Sequence, residues 1–336
     1  MDHQFYMARA IELSKRGLGR TFPNPIVGAV IVSASGEILG EGFHAGTDHA
    51  EVVAFMDCTR KGKSADGSTI YVSLEPCNHT GKTPPCTQAI LDAGITQVIY
   101  AVDDPNPLAQ GGGAYLRSRG VEVITHILES ESAFQNRAWL HKIANNRPYF
   151  TWKIASTFDG FSAAVDGTSQ WITSEQSRQV VQRLRAESDA ILIGTGTALS
   201  DNPSLIPRGD TRRPLRIVMG ERRIPDESNL LDIESETLIF PSRDIDAFME
   251  KVKELGLNSV LVEAGATLGT ALLKKGLVDE ICWFQAPTLL GGGKKAIGDL
   301  SIETLSDRID YIISKTELVG PDLCTTLLPK KMEADI

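Results

Sequence analysis

The chain has 336 residues, 42% hydrophobic and 23% charged, and its 34 Lys and Arg against 43 Asp and Glu give a formal net charge of −9. Two domains are expected at about 100–200 residues each, and no apolar run nears the roughly 18–20 residues that span a bilayer, so a membrane protein is excluded. The acidic balance disfavours broad binding to nucleic-acid phosphates, and five scattered cysteines make no disulfide framework, which points to a soluble, cytoplasmic protein.

Residues 4–16 set Phe5, Ala8, Ile11 and Leu13 near one helical face, and Gly17 and Gly19 end that helix. Charge is mixed into this first stretch, which is unlike a signal peptide. The turn-rich Thr21-Phe-Pro-Asn-Pro25 leads into a strand over 26–32, and Gly36 marks a hairpin to a strand over 38–43. A helix over 50–60, a strand over 69–74, a long loop and a helix over 86–93 follow. A strand over 97–102, a helix over 114–119 and a short strand over 121–124 complete the series. Strands separated by helices predict an α/β domain with a mainly parallel sheet covered on both faces. A polar helix over 132–145 runs into Asn145-Asn-Arg-Pro148, which places a boundary between domains 1–146 and 147–336. Beyond it, strands fit 149–155, 190–194, 215–218, 237–240, 259–262, 280–286, 311–315 and 323–328. Helices fit 174–187, 245–255 and 267–275. This is a second α/β domain that does not repeat the first.

The sharpest chemical signal is Asp48-His-Ala-Glu51 together with Glu75-Pro-Cys-Asn-His-Thr-Gly-Lys-Thr-Pro-Pro-Cys86. His49, Cys77 and Cys86 offer one nitrogen and two sulfurs, a set that suits one tetrahedral Zn2+ per chain with a fourth position left for water. Zinc lowers the pKa of bound water to about 7, and Glu51, two residues after His49, is placed to take its proton and pass it to a leaving amine. His-x-Glu with a following Pro-Cys is the pattern of zinc deaminases, although Cys77 and Cys86 stand nine positions apart where the common form has three. A closed structural site could instead recruit His79 as a fourth ligand; that reading leaves the Glu51 spacing without a purpose. A deaminase of nucleosides or nucleic acid, and a zinc-stabilised binding protein without catalysis, are the other readings of the motif. All six histidines precede residue 142, so imidazole chemistry belongs to the first domain.

The second domain has no histidine, and Cys282 and Cys324 lie in apolar strands as packing residues. No G-x-G-x-x-G follows its first strand. The turn after 259–262 instead places small residues and free N–H groups at a helix start, a weak phosphate-site signal alone.

Thr21-Phe-Pro-Asn-Pro-Ile-Val-Gly-Ala-Val, Gly42-Phe-His, His49-Ala-Glu and the long cysteine loop together resemble the bifunctional riboflavin-biosynthesis deaminase-reductases, whose own variant includes the longer cysteine spacing. Lys153-Ile-Ala-Ser-Thr-Phe-Asp-Gly, Gly167-Thr-Ser-Gln-Trp-Ile, Leu184-Arg-Ala, the segment from Thr197 to Pro203 and Val262-Glu-Ala-Gly look like the reductase half of the same family, in its order. The resemblance runs from Tyr6 to Leu328. It implies an N-terminal, three-layer, cytidine-deaminase-like domain and a C-terminal dihydrofolate-reductase-like domain that binds NADPH. It implies that Asn24, His44, His79 and Lys82 line the pyrimidine and phosphoribosyl pocket. On the reductase side it implies that Ser156, Trp171, Thr197, Asp201, Gly265, Ala266, Thr267, Leu268, Gly269, Thr270 and Ala271 contact the dinucleotide. Lys153, Ser169, Arg185, Leu205, Arg208 and Glu263 would contact the substrate, with Arg185 and Arg208 suited to a sugar phosphate. The implied partner is a small phosphoribosylaminopyrimidine, with no nucleic acid and no membrane, acted on by a homo-oligomer, dimer or tetramer.

Overall fold

A break between Asn146 and Arg147 separates two units with separate sheets. The computed structural model describes residues 2–44, 46–80, 84–209 and 212–330.

The first unit opens with α1 (His3–Ser14), whose start is capped by the Asp2 carboxylate accepting from the Phe5 N–H. Its buried face is only partly the expected one, for Ile11 and Leu13 are buried but their two companions are not. Phe5 is 60% exposed and Ala8 is exposed, whereas Tyr6, Met7, Ala10, Ile11, Leu13 and Ser14 are buried. The i, i+3, i+4, i+7 stripe therefore runs through Met7, Ala10, Ile11 and Ser14, with Ser14 satisfied by donating to the Ile11 carbonyl at 2.7 Å. There follow β1 (Gly28–Val32), β2 (Ile38–Phe43), α2 (Ala50–Arg60), β3 (Thr69–Val72), α3 (Cys86–Asp92), β4 (Gln97–Tyr100), α4 (Gly112–Ser118) and β5 (Glu122–Thr125). The strand order is β2-β1-β3-β4-β5. The expectation of a mainly parallel sheet is corrected: β1 is antiparallel to both β2 and β3, and only β3, β4 and β5 run parallel. The Gly36 hairpin reverses the chain before the helix-linked strands begin, so alternation of strand and helix starts only after it.

The polar helix over 132–145 is two helices, α5 (Glu129–Gln135) and α6 (Arg137–Asn145). The break is at Asn136, which is buried and whose side chain accepts from the Ile26 N–H at 3.0 Å and donates to the Ile26 carbonyl at 2.8 Å. That amide stands in for a strand neighbour and anchors the segment before β1. One face of the sheet packs on α1, through Met7, Ala10 and Ile11 against Val30, Tyr71 and Ile99. The other packs on α2, α3, α4 and α6, through Ala54, Ile90, Leu116 and Trp139. The unit is thus a helix–sheet–helix sandwich.

The second unit contains β6 (Tyr149–Thr157), β7 (Phe161–Ala163), α7 (Glu175–Glu187), β8 (Ala190–Gly194), α8 (Thr195–Asp201), β9 (Leu215–Met219) and β10 (Thr237–Phe240). It continues with α9 (Ile245–Glu254), β11 (Ser259–Val262), α10 (Ala266–Lys274), β12 (Glu280–Ala286), β13 (Lys294–Lys295), β14 (Tyr311–Val319) and β15 (Asp322–Pro329). The sheet order is β10-β9-β8-β11-β6-β12-β15-β14. Strands β10 to β12 are parallel, and the hairpin of β14 and β15 closes one side antiparallel. The central strands are buried on both faces, as parallel strands under helices must be. Sequence pattern missed α8, whose Gly194-Thr-Gly start has low helix propensity, and the short β7–β13 pair. Arg216 on β9 is fully buried, yet its guanidinium donates to the carbonyls of Ser204, Asn229 and Asp232 and pairs with the Asp232 carboxylate at 2.9 Å. Cys282 and Cys324 are buried, as their apolar strands imply.

Candidate active sites

His49 sits immediately before α2, and Glu51 lies in its first turn. The start of α2 lies directly on β2, because a Cβ on Gly42 would fall 2.2 Å from the Ala50 carbonyl oxygen. Only glycine permits that approach. Cys77 follows β3 across a short loop, and Cys86 opens α3. The three donor atoms lie within 4.8 Å of one another. His49 Nδ1 is 3.2 Å from Cys86 Sγ and 3.5 Å from Cys77 Sγ, and the Cys86 N–H donates to Cys77 Sγ at 3.4 Å. The proximity of the two thiols lowers Cys77 from its ordinary value and, with burial, raises Cys86. One nitrogen and two sulfurs converging this closely fit a zinc ion with an open fourth position. Among the described residues His79 is not part of the set, so the closed four-ligand alternative has no support.

Glu51 is 3% exposed, and burial, reinforced by the negative charge on Cys77, pushes its carboxyl up to about 7. It lines a cavity of about 290 Å³ together with His44, His49, Cys77 and His79. Asn24, on an exposed turn held by Thr21, reaches the same cavity. Among the described residues His44 Nε2 and His79 Nδ1 are buried with no hydrogen-bond partner, which leaves two polar atoms for a ligand to satisfy. Burial and the neighbouring His49 lower His44 to about 4, so it is neutral at pH 7. Lys82 lies outside the described residues.

Among the cavity residues missed from sequence are Glu75, Asp104 and Asn106. Glu75 accepts from the Gly113 N–H at 2.8 Å and the Asp104 N–H at 3.2 Å, tying the cysteine loop to the segment after β4. Burial, with the charge of Glu75 adding to it, pushes Asp104 up to about 6 against a hydrogen bond from the Asn106 N–H. The available signal was position: Asp103-Asp-Pro-Asn-Pro follows an apolar strand, at the end of a parallel sheet where ligands bind.

In the second unit, Glu263 directly follows β11, Lys153 lies on β6 and Arg185 near the end of α7. Arg185 grips Glu263 with two hydrogen bonds, at 2.5 and 2.9 Å, and Lys153 Nζ stands 3.4 Å away. Burial alone would raise the Glu263 carboxyl; the charges of Arg185 and Lys153 outweigh it and hold it at about 2. The Arg185 fork is thus committed to Glu263. Arg208 is exposed, with its backbone N–H donating to Gln182 at 3.2 Å. Leu205 is buried and Ser169 exposed.

Ser156 is fully buried, donating to the Thr157 carbonyl and accepting from Trp283 Nε1, both at 2.8 Å. Trp171 is 70% exposed under the Arg178 guanidinium, 4.5 Å from its ring centroid. Thr197 and Asp201 lie on α8. The expected dinucleotide turn divides in two. Gly265, Ala266, Thr267 and Leu268 form the open start of α10, and a Cβ on Gly265 would meet nothing within 4 Å. Gly269 and Thr270 are packing residues: a Cβ on Gly269 would fall 2.1 Å from the Trp152 ring, and Thr270 Oγ1 accepts from the Gly298 N–H at 2.7 Å. Ala271 is half-buried. An open amide end on a nine-residue helix, beside a parallel sheet, fits the pyrophosphate of a dinucleotide.

Residues 1–102 match the cytidine and deoxycytidylate deaminase zinc-binding region, and residues 148–325 match the RibD C-terminal domain. The chain is 43% identical to the riboflavin biosynthesis protein RibD of Mycobacterium tuberculosis, over 96% of each, and 38% identical to that of Escherichia coli, over 98% of this chain and all of the relative. Acinetobacter baumannii RibD superposes with a TM-score of 0.89 at 35% identity, covering 98% of this chain and 99% of that one. A Thermotoga maritima diaminohydroxyphosphoribosylaminopyrimidine deaminase/5-amino-6-(5-phosphoribosylamino)uracil reductase also gives 0.89, at 31% identity, covering 97% and 98%.

Proposed function

The chain belongs to the RibD family of bifunctional riboflavin-biosynthesis deaminase-reductases, and from that premise we propose which of its residues carry each reaction. It is a pyrimidine deaminase and reductase that uses Zn2+ and NADPH. We assign the deaminase to residues 1–146 and the reductase to 147–336.

The deaminase substrate is 2,5-diamino-6-(5-phosphoribosylamino)-4(3H)-pyrimidinone, whose C2 amino group is replaced by oxygen from water with release of ammonia. His49, Cys77 and Cys86 hold the zinc, which when bound supplies the Lewis acidity that makes water a nucleophile near neutral pH. Glu51 takes the proton of that water and delivers it to the departing nitrogen, a role its burial suits because its carboxyl exchanges protons near pH 7. His44, neutral, and His79 present their unpartnered nitrogens to the ring and the ribose, Asn24 pairs with the ring edge, and Lys82 meets the phosphate. The observation that carries this reading is the set of three converging ligands with Glu51 beside it.

The reductase converts the ribosyl side chain of the deaminated product to ribityl, with NADPH supplying the hydride when bound. Gly265, Ala266, Thr267 and Leu268 seat the pyrophosphate. Lys153, held by Glu263, orients the opened sugar, and Arg208 receives its phosphate. We further propose a cytoplasmic homo-oligomer, dimer or tetramer; supporting it, the edge strand β14 exposes Ile312, Ile313 and Leu318. Among the described residues no helix is long and apolar enough to cross a membrane. The test is turnover of the diaminopyrimidinone followed by mass spectrometry. Without NADPH the expected product is the uracil derivative plus ammonia, and with NADPH its ribityl form. No ammonia from zinc-replete protein would overturn the deaminase assignment.

A further inference from the structure

Strands β6 and β12 outrun their neighbour β11. The pairing of β11 with β6 ends at Val262 and Trp152, whereas β6 and β12 stay paired out to Thr157 and Ala286. At about 3.3 Å per residue, the stretch from Trp152 to Thr157 carries this pair roughly 16 Å past the end of β11. The two strands therefore wall one side of the space beyond β11, where α10 opens its amide end. By alternation Lys153, Ala155 and Thr157 share one face of β6, and on it Lys153 and Ala155 are only half-buried.

Where the backbone pairing of this wall stops, a side chain takes over. The Phe158 N–H still donates to the Thr288 carbonyl at 2.9 Å. The next donors on that side, the N–H groups of Leu290 and Gly291, are met by Asp159 Oδ2 at 3.1 and 2.7 Å. Asp159 Oδ1 accepts from the Thr157 hydroxyl at 2.6 Å, and Thr157 Oγ1 accepts from the Phe161 N–H at 3.1 Å. Farther out β13 pairs with β7, and a Cβ on Gly293 would fall 2.1 Å from the Ala163 carbonyl oxygen. The 289–293 loop is thus pinned by backbone at its far end and by the Asp159 carboxylate at its near end. Asp159 is exposed, as are the apolar Phe158, Leu289 and Leu290 around it. Water could satisfy an exposed carboxylate fully, so its bonds to two backbone amides serve the shape of the loop and not the relief of burial.

We propose that Asp159 is a positioning residue of the reductase: by fixing the 289–293 loop on the end of the β6–β12 wall, it keeps the reacting groups in register for hydride transfer. It acts through the loop and not on the substrate. The proposal rests on the reductase reading above and on the place of Lys153 in it. The test is single-turnover reduction of the deaminated compound by the full-length protein, with NADPH and with NADPH deuterated at the transferred position. Asp159→Ala should slow hydride transfer on the order of 10-fold or more, because small misplacements of reacting groups are costly. The deuterium isotope effect should be fully expressed in that variant, and NADPH affinity by calorimetry should stay within about 3-fold of wild type. Asp159→Asn should recover most of the rate, since its one carbonyl oxygen can still accept from Leu290 and Gly291 while the Thr157 hydroxyl turns to the Phe161 carbonyl, 3.3 Å away. Asp244→Ala, which removes the cap of α9, controls for a general loss of stability and should react as wild type. A wild-type rate in Asp159→Ala overturns the proposal. So does a loss shared equally by Asp159→Asn or Asp244→Ala, or one that follows NADPH affinity. If wild type itself reduces nothing, the reductase reading fails and takes the proposal with it.

Discussion

Glu263 shows how far a single residue can be taken. Its carboxyl is depressed from 4.5 to about 2 by Arg185 and Lys153. A depressed acid stabilises the fold above its unfolded value and loses that contribution as pH falls. The contribution is therefore complete above about pH 4.5, fades between there and about pH 2, and is on the order of 3 kcal/mol. Glu263→Gln strands two cations in a largely buried place and should cost about 3–5 kcal/mol at neutral pH. Urea unfolding of both proteins, measured near pH 6.5 and again near pH 3, should show the gap between them shrink at the lower pH. A gap of equal size at both would mean that the ion pair does not stabilise the native state. The sequence offered Glu263 only as part of a family motif, because its partners stand 78 and 110 positions away in the chain. His49 and Glu51 were legible without any fold, since a two-residue spacing already fixes their relation at the start of a helix.

Elements, more than ligands, set the cysteine loop in place. The first residue of α4, Gly112, lies so near the loop that a Cβ there would stand 1.8 Å from the Pro76 carbonyl oxygen. The next residue, Gly113, donates to Glu75 at 2.8 Å. Gly112→Ala must therefore push α4 and the residue before Cys77 apart. Zinc affinity, measured by competition with a chromophoric chelator, should fall on the order of 10-fold or more although no ligand is changed. Unchanged affinity would show that the loop holds its own shape. Such contacts were not legible in the sequence, where Gly111-Gly-Gly reads only as a turn. The same holds for the split at Asn136, whose bonds reach Ile26 across 110 residues. Helices and strands with a clear apolar period, such as α2, α9 and β11, were placed to within a residue or two. Those without one, α8 and β7, were missed, because the Gly and Thr of α8 give no pattern to follow and the three residues of β7 are too few to show one.

At the scale of the whole molecule, the residues assigned to each reaction fall on different sides of the break after Asn146. His49, Cys77, Cys86 and Glu51 belong to the first unit, and the cluster around Glu263 with the open end of α10 belongs to the second. Each unit also has its own buried core. The two activities should then be separable by chemistry confined to one unit. Glu51→Gln keeps the volume of the side chain and all three zinc ligands but cannot shuttle a proton. Deamination should fall by about 100-fold or more, roughly 2.7 kcal/mol on the barrier, with about one zinc per chain retained by elemental analysis. Cys77→Ser should lose the metal as well, since a hydroxyl is a poor substitute for thiolate toward zinc. In both variants, NADPH-dependent reduction of the deaminated compound, supplied directly, should proceed as in wild type. Reduction that falls in step with deamination would mean that the second unit depends on the metal centre of the first, and the division of labour proposed for the chain would have to be redrawn.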